Sequence, residues 1–331
     1  MYNHHLYEPK HPLTGFYTTH HFLKEQYQEL EYPVAIAVFD ITQLRQLNED
    51  NGYSEGDFTI FDLSNVIKHC APPDSCFVHD LDARLILIQQ NATEKDIIPV
   101  ADSIQKEYEK LSYGISYAEG PMMISIAIDE AKEDARLRQM LNPNSNKSEV
   151  LNIIEYALSK FDNETYEHVM RTQELSEKIA DKLDMSHLNK TKLKFLCQLH
   201  DIGKIDVPIE ILRKPGKLTD EEYEIIKQHA NAGADLIETL PSLSEFAEYI
   251  RQHHERWDGK GYPQKLSGHS IPLFSRIISL VDAYDAMSHD RVYRKALSER
   301  EVVLELSESA GKQFDPHLCG ILISMIISKE L

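Results

Sequence analysis

HHERWDGKGYP, residues 253–263, sets two adjacent histidines ahead of a charged aromatic segment and a turn built from glycines and a proline. Adjacent side chains on a helix diverge by about 100°. Two neighbouring histidines read on a helix therefore do not serve one ion in a simple way. The same apolar period of three to four residues runs through FAEYIRQHHERW, which contains the pair, and FSRIISLVDAYDAMS, which follows it. It runs as well through VLNIIEYALSKF, YEHVMRTQELSEKIADKL, KTKLKFLCQLHDIG, DEEYEIIKQHANAGADLIETL and REVVLELSESAGK, with breaks at Pro215-Gly216, Pro241 and Gly259 to Pro263. This half of the chain reads as an all-α bundle.

Upstream the rhythm changes. VAIAVFD (34–40), ARLILIQ (83–89), SYGISYA (112–118) and MMISIAID (122–129) read as strands, while EGDFTIFDLSNVIKHC and EKDIIPVADSIQKEYEKL carry helical spacing. The expectation is an α/β domain with a central sheet. LNPNSNKSE (141–149), rich in Asn and Ser, is the boundary. The fold class is thus α+β in two domains, residues 1–148 and 149–331, with a helix over about Glu149–Phe161 leading towards Glu164 and His168.

A chain of 331 residues, 42% of them hydrophobic, can build two cores. Its formal net charge of −19 disfavours a nucleic-acid polymer or an anionic membrane, both of which need a basic face. A small anion remains compatible if metals or a few cations invert the charge locally. Cys70, Cys76, Cys197 and Cys319 form neither a CxxC pair nor a disulfide framework. The start, MYNHHLYEPKHPL, lacks the pattern of a signal peptide, and no apolar run is long enough to span a bilayer. A cytoplasmic protein without membrane insertion is expected.

The helical half carries Glu164, His168, His200-Asp201, His229, His253-His254 and Asp282, each on or near the end of a different helix. Imidazoles and carboxylates converging from several helices make a nitrogen-and-oxygen environment for iron, manganese or zinc. Glu164 and His168, four residues apart, share one helix face. Spacing alone does not bring the helices together.

DIGKIDVPIEILRKPGKLTDEEYEIIKQHANAGADLI, HHERWDGKGYP, VDAYDAMSHDRVYRKALS and GKQFDPHL follow one another in an order that resembles the HD-GYP family of cyclic dinucleotide phosphodiesterases, over roughly residues 150–331. The resemblance implies a centre of two or three divalent metal ions, iron or manganese first. Its ligands would be His168, His200, Asp201, His229, His253, His254 and Asp282, with Glu164 as the carboxylate of three-metal members. Asp201 and Asp282 would bridge, and His253 and His254 would go to different ions. It also implies a catalytic role for Asp201 and Lys204, the latter at the scissile phosphate, and substrate contacts from Lys204, Tyr262, Arg291 and Arg294. A planar guanidinium fork suits bidentate phosphate contact. Closely spaced ions lower the pKa of a bridging water and hold a phosphodiester in line, so a metal-bridging hydroxide is the expected nucleophile. Asp285, one turn after Asp282, is expected behind a ligand or in a structural role. Trp257 is expected to pack beneath the loop.

HPLTGFYTTHHF (11–22), FDITQLRQLNEDNGYSEGD (39–57) and MMISIAID resemble the GGDEF domain of diguanylate cyclases. Asp40 matches its first metal-binding aspartate, and Asn48 and Asp57 match its guanine contacts. Thr42 stands where a second aspartate is usual, and Asp80-Leu81-Asp82-Ala83-Arg84 replaces the GGDEF turn, so both glycines that would admit a triphosphate are gone. The resemblance therefore implies a degenerate, catalytically inactive regulatory domain, with Asp40, Asn48 and Asp57 as a regulatory nucleotide site for GTP or another nucleotide.

The expected function is a metal-dependent phosphodiesterase that hydrolyses cyclic di-GMP to pGpG and on to GMP. Alternatives are a cyclic GMP-AMP phosphodiesterase and a non-hydrolytic cyclic dinucleotide receptor or adaptor. Family analogy adds a homodimer and GGDEF-domain proteins as partners of the GYP loop.

Overall fold

The computed structural model describes residues 8–42, 44–80, 83–108, 111–141, 166–290 and 295–331. The chain forms two compact units, one of residues 1–149 with 186–191, the other of residues 150–185 with 192–331. The helix expected over 149–161 lies outside the described residues.

The first unit is built on a five-stranded sheet of β1 (Tyr17–Thr18), β2 (Val34–Ile41), β3 (Cys76–His79), β4 (Leu85–Gln90) and β5 (Leu111–Ala118), in the order β1-β3-β4-β2-β5. Only β1 and β3 pair in parallel. Side chains alternate across a strand, and β2 uses both faces. Ala35, Ala37 and Phe39 pack with Ile60, Leu63 and Ile67 of α2 (Tyr53–Cys70) and Ile97, Ala101 and Ile104 of α3 (Glu94–Glu107). Val34, Ile36 and Val38 pack with Ile124, Ala127, Ile128 and Ala131 of α4 (Ile124–Leu141). A short helix, Leu44–Asn51, precedes α2. A strand buried on both sides loses its polar alternation, which is why β2 is a continuous apolar run.

MMISIAID is not a strand. Pro121–Met123 is a 3-10 turn and α4 begins at Ile124. The buried positions 124, 127, 128, 131 and 135 have helical spacing, while Met122 and Ile126, which make the stretch look uniformly apolar, are exposed. Conversely β3, only four residues long, carries too short a pattern to stand out.

Residues 186–191 join this unit through Asp134. Its fully buried carboxylate accepts the Ile115 N–H (2.8 Å), the His187 Nδ1–H (2.6 Å) and the Thr191 hydroxyl (2.5 Å). Burial alone would raise its pKa, but His187 and Arg138 hold it below the ordinary carboxylate value.

The second unit is helical: α5 (Tyr166–Lys182), α6 (His187–Leu199) from residue 192 onward, a 3-10 turn at Ile202–Asp206, α7 (Asp220–Lys227), α8 (His229–Glu238), α9 (Ala247–Arg251), α10 (Leu273–Ser288), α11 (Glu299–Ser309) and α12 (Pro316–Ser328). Its core joins Leu175 and Ile179 of α5, Leu193 and Cys197 of α6, Ile277, Leu280 and Val281 of α10, and Leu306, Leu318 and Leu322 of the last two helices. Full burial of each such side chain contributes about 1.5–3 kcal/mol. Thr219 with Glu222 and Ser298 with Glu301 form capping boxes that start α7 and α11. Two expectations are corrected. DEEYEIIKQHANAGADLIETL breaks into α7 and α8 at Gln228, and α9 stops at Arg251, so His253 and His254 lie in the turns that follow it. Among the described residues no helix is long and apolar enough to cross a membrane.

Candidate metal centre

Two groups of ligand-type side chains converge in the helical unit: Asp201, His229, His253 and His254, and His168, His200 and Asp282. They come from the end of α6, the start of α8, the turn after α9, and α5 and α10. His168, His200, His229 and His253 are buried.

Local backbone chemistry sets the imidazoles. The Nδ1–H of His200 donates to Cys197 O (2.9 Å), that of His229 to Ile226 O (2.6 Å) and that of His253 to Ile250 O (2.5 Å). In each case the acceptor is the carbonyl three residues earlier. A fourth, His168 Nδ1–H, donates to Asp285 Oδ2 at 2.7 Å. A proton placed on Nδ1 leaves a lone pair on Nε2, and those lone pairs face inward.

In the first group His229 Nε2 lies 3.3 Å from His253 Nε2, 3.1 Å from His254 Nε2 and 3.4 Å from Asp201 Oδ1. Ligands held at about 2.1 Å from one ion stand about 3.0 Å apart at octahedral corners and about 3.4 Å apart at tetrahedral ones. The group therefore has the edges of a coordination shell and a donor set that a divalent cation satisfies. In the second group His168 Nε2, buried and without a hydrogen bond among the described residues, lies 3.7 Å from Asp282 Oδ1. Asp201 belongs to both surroundings: its Oδ2 is 3.0 Å from His200 Nε2 while its Oδ1 faces His229.

Burial and the neighbouring His229 depress the pKa of His254 to about 3. Burial, with His254 and His229 close by, also takes His253 well below the ordinary histidine value, and burial lowers His229. Burial would raise Asp201, yet Lys204 and His200 hold its carboxyl well below the usual range. Neutral imidazoles beside an ionised carboxylate are the protonation states that bind metal.

The adjacent histidines do not diverge. With α9 ended at Arg251, their rings lie 3.9 Å apart and both Nε2 atoms meet His229, so His253 and His254 enter one group rather than two. Lys204 Nζ contacts Asp201 Oδ2 at 2.9 Å. Tyr262 stacks on His254, ring centres 4.9 Å apart, and donates its N–H to His254 O. Gly261 makes that turn: a Cβ there would sit 2.4 Å from Arg256 N and 2.6 Å from His254 O. The buried Glu255 closes the loop by accepting the N–H groups of Gln264 and Leu266. Trp257 packs edge-on against His269. Glu164, Arg291 and Arg294 lie outside the described residues.

Sequence reasoning missed Arg171, whose guanidinium grips the two oxygens of Asp285 at 2.5 and 2.9 Å and so fixes the carboxylate that orients His168. The signal was present in HxxR: Arg171 lies one turn after His168.

A family model described as HD domain matches residues 141–318, more than half of the chain. A protein of Thermotoga maritima named cyclic di-GMP phosphodiesterase is 40% identical over 179 residues, covering 54% of this chain and 49% of its own length. A Vibrio cholerae protein named 3'3'-cGAMP-specific phosphodiesterase 2 is 34% identical over 162 residues, covering 48% of this chain and 31% of its own. The chain thus spans about half the length of the first relative and about a third of the second. The crystal structure of the FimX GGDEF domain from Pseudomonas aeruginosa aligns with a TM-score of 0.34 at 16% identity, over 39% of this chain and 94% of that one.

Proposed function

The chain belongs to the HD domain family, and from that premise we propose that its helical unit is a metal-dependent phosphodiesterase, acting in the cytoplasm, that opens cyclic di-GMP to pGpG and on to GMP. The observation that carries this reading is the convergence of two histidine-and-aspartate groups, with Asp201 of the first setting its Oδ1 beside His229 and its Oδ2 beside His200 of the second. Divalent ions held there supply an ionised water at neutral pH and neutralise phosphate charge. The mixed imidazole and carboxylate donors favour iron or manganese. The chain's own part is to keep the imidazoles neutral and aimed, to keep Asp201 ionised between the two groups, and to present Lys204 as a cation to the phosphate. Glu164 as a third-ion ligand and Arg291 and Arg294 as phosphate grips belong to the same proposal.

The first unit is, in this reading, a regulator derived from a cyclase fold. Asp40 pairs with Arg84 (3.2 Å) and Asp80 with Lys132 (2.7 Å), so both carboxylates already have internal cations. Asp40, Asn48 and Asp57 as a regulatory site for a nucleotide such as GTP belong to the same proposal. Homodimerisation and docking of GGDEF-domain proteins on the GYP loop complete the proposal.

Hydrolysis of cyclic GMP-AMP is the second reading, favoured by the similarity to a relative named for 3'3'-cGAMP. The purified chain, loaded with iron or manganese, is incubated separately with cyclic di-GMP and cyclic GMP-AMP, products are followed by chromatography and metals counted per chain. Conversion of cyclic di-GMP to pGpG is expected. Faster turnover of cyclic GMP-AMP selects the second reading. Binding without hydrolysis of either, under reducing and oxidising conditions with two ions per chain, makes the protein a receptor and overturns the enzyme.

A further inference from the structure

One wall of the metal centre carries chemistry that metal ligation does not use. Tyr223 and Lys227 lie four residues apart on α7, on one face, and α7 ends two residues before the candidate ligand His229. Lys227 Nζ stands 5.4 Å from the centre of the Tyr223 ring and 5.7 Å from that of Tyr262. Tyr262 in turn rests on the ring of His254. A continuous path of ring, ammonium, ring and imidazole therefore leads from the surface of α7 to the ligand group.

Lys227 also pairs with Glu224, and a cation between two rings serves as ordinary packing in many proteins. Packing does not account for Tyr223, however, which leaves 49% of its surface in water. An exposed aromatic face beside a centre that acts on phosphodiesters fits the one part of a dinucleotide that metals and cations do not hold, its base. Purines of any kind stack on such a face, with little reading of sequence.

We propose that Tyr223 and Lys227 form a base-binding shelf: the exposed face of Tyr223 stacks on a purine of the substrate, and Lys227 fixes that ring against Tyr262 while adding positive charge at the phosphate edge. The proposal rests on the phosphodiesterase reading and deepens it. It commits α7, outside the ligand set, to substrate affinity rather than to chemistry.

The test uses the full-length, metal-loaded chain and two substrates, cyclic di-GMP and bis(p-nitrophenyl) phosphate, a diester without a purine. Tyr223→Leu is expected to raise KM for cyclic di-GMP by roughly 5- to 100-fold, the range found when one stacking partner is removed, and to lower kcat/KM for cyclic di-GMP at least about fivefold more than for the purine-free diester. Tyr223→Phe, which keeps the ring, is expected to restore most of the affinity, with metals per chain confirming an intact centre. Equal losses on both substrates, or a Phe variant as weak as the Leu variant, overturn the shelf and leave the ring a packing element. Wild-type protein that turns over neither diester overturns the phosphodiesterase reading itself, and the shelf with it.

Discussion

The centre depends on how closely the turn that carries His200-Asp201 approaches the helix that starts at His229, and Gly203 sets that approach. A Cβ on residue 203 would lie 2.0 Å from His229 O, 2.4 Å from Gly233 N and 2.9 Å from Gly233 Cα. All three are backbone atoms of α8, so no side-chain rotation relieves the clash. Ordinary contact begins near 3.4 Å, and one backbone must retreat by about 1.4 Å in Gly203→Ala. Asp201 Oδ1 and His229 Nε2 are now 3.4 Å apart, already at the long edge of a coordination shell. Even half of that retreat takes the pair to about 4 Å, past the spacing of about 3.0–3.4 Å between adjacent corners around one ion. Overpacking of this kind costs about 1–3 kcal/mol of stability, and misplacement by about 1 Å costs on the order of 100-fold in rate. Gly203→Ala is therefore expected to lose at least one metal per chain, measured by elemental analysis, and about 100-fold in kcat/KM on a phosphodiester. Gly320→Ala is the control: a Cβ there meets nothing within 4 Å, and residue 320 lies inside α12. That change should stabilise the chain by about 0.5–1 kcal/mol. A Gly203→Ala protein that binds two metals per chain and turns over at the wild-type rate would refute the claim that this contact gathers the ligands.

Asp285→Asn removes the charge that Arg171 and His168 share, and a 10- to 100-fold loss of metal affinity is expected, concentrated on the ion held by His168, His200 and Asp282; equilibrium metal titration showing two unchanged affinities would sink it. His79 tests the first unit: burial, followed by the field of His11, lowers its pKa to about 3, against about 6.5 in an unfolded chain. A histidine kept neutral by folding contributes fully above pH 6.5, and the unfolded state gains by taking up the proton below it, so stability falls by about 1.4 kcal/mol at pH 5.5. Denaturant unfolding at pH 7.5 and 5.5 should show a loss smaller by about that amount in His79→Gln than in the wild type, to whose loss the other buried histidines also contribute; equal losses refute the assignment.

How much of the fold was legible follows from where two periods can be told apart. β2 and β5 announced themselves because both their faces are buried, leaving unbroken apolar runs. MMISIAID satisfied alternation and helical spacing at once, since Met122 and Ile126 are apolar yet exposed. Its true period needed a longer window, one reaching Ala131 and Ala135, and a start at Gly120-Pro121 that admits a helix.

The centre shows the same limit in chemical form. The residue types of a nitrogen-and-oxygen site stood in the sequence, but which nitrogen His200, His229 and His253 offer depends on a backbone carbonyl three residues earlier, and so on where each helix ends. Read as helical, His253 and His254 diverge; with α9 ended at Arg251, Ile250 O accepts the His253 Nδ1–H and so turns its Nε2 towards the partner that His254 also meets. Helix ends are set by a few competing hydrogen bonds and blur by one or two residues in any pattern. A shift of that size rotates a side chain by 100° or more, which is enough to move a ligand from one ion to another. Tyr223 was hidden for the complementary reason: an aromatic at helical spacing reads as core, and only its exposed face and the ammonium between it and Tyr262 mark it as a surface for a ligand.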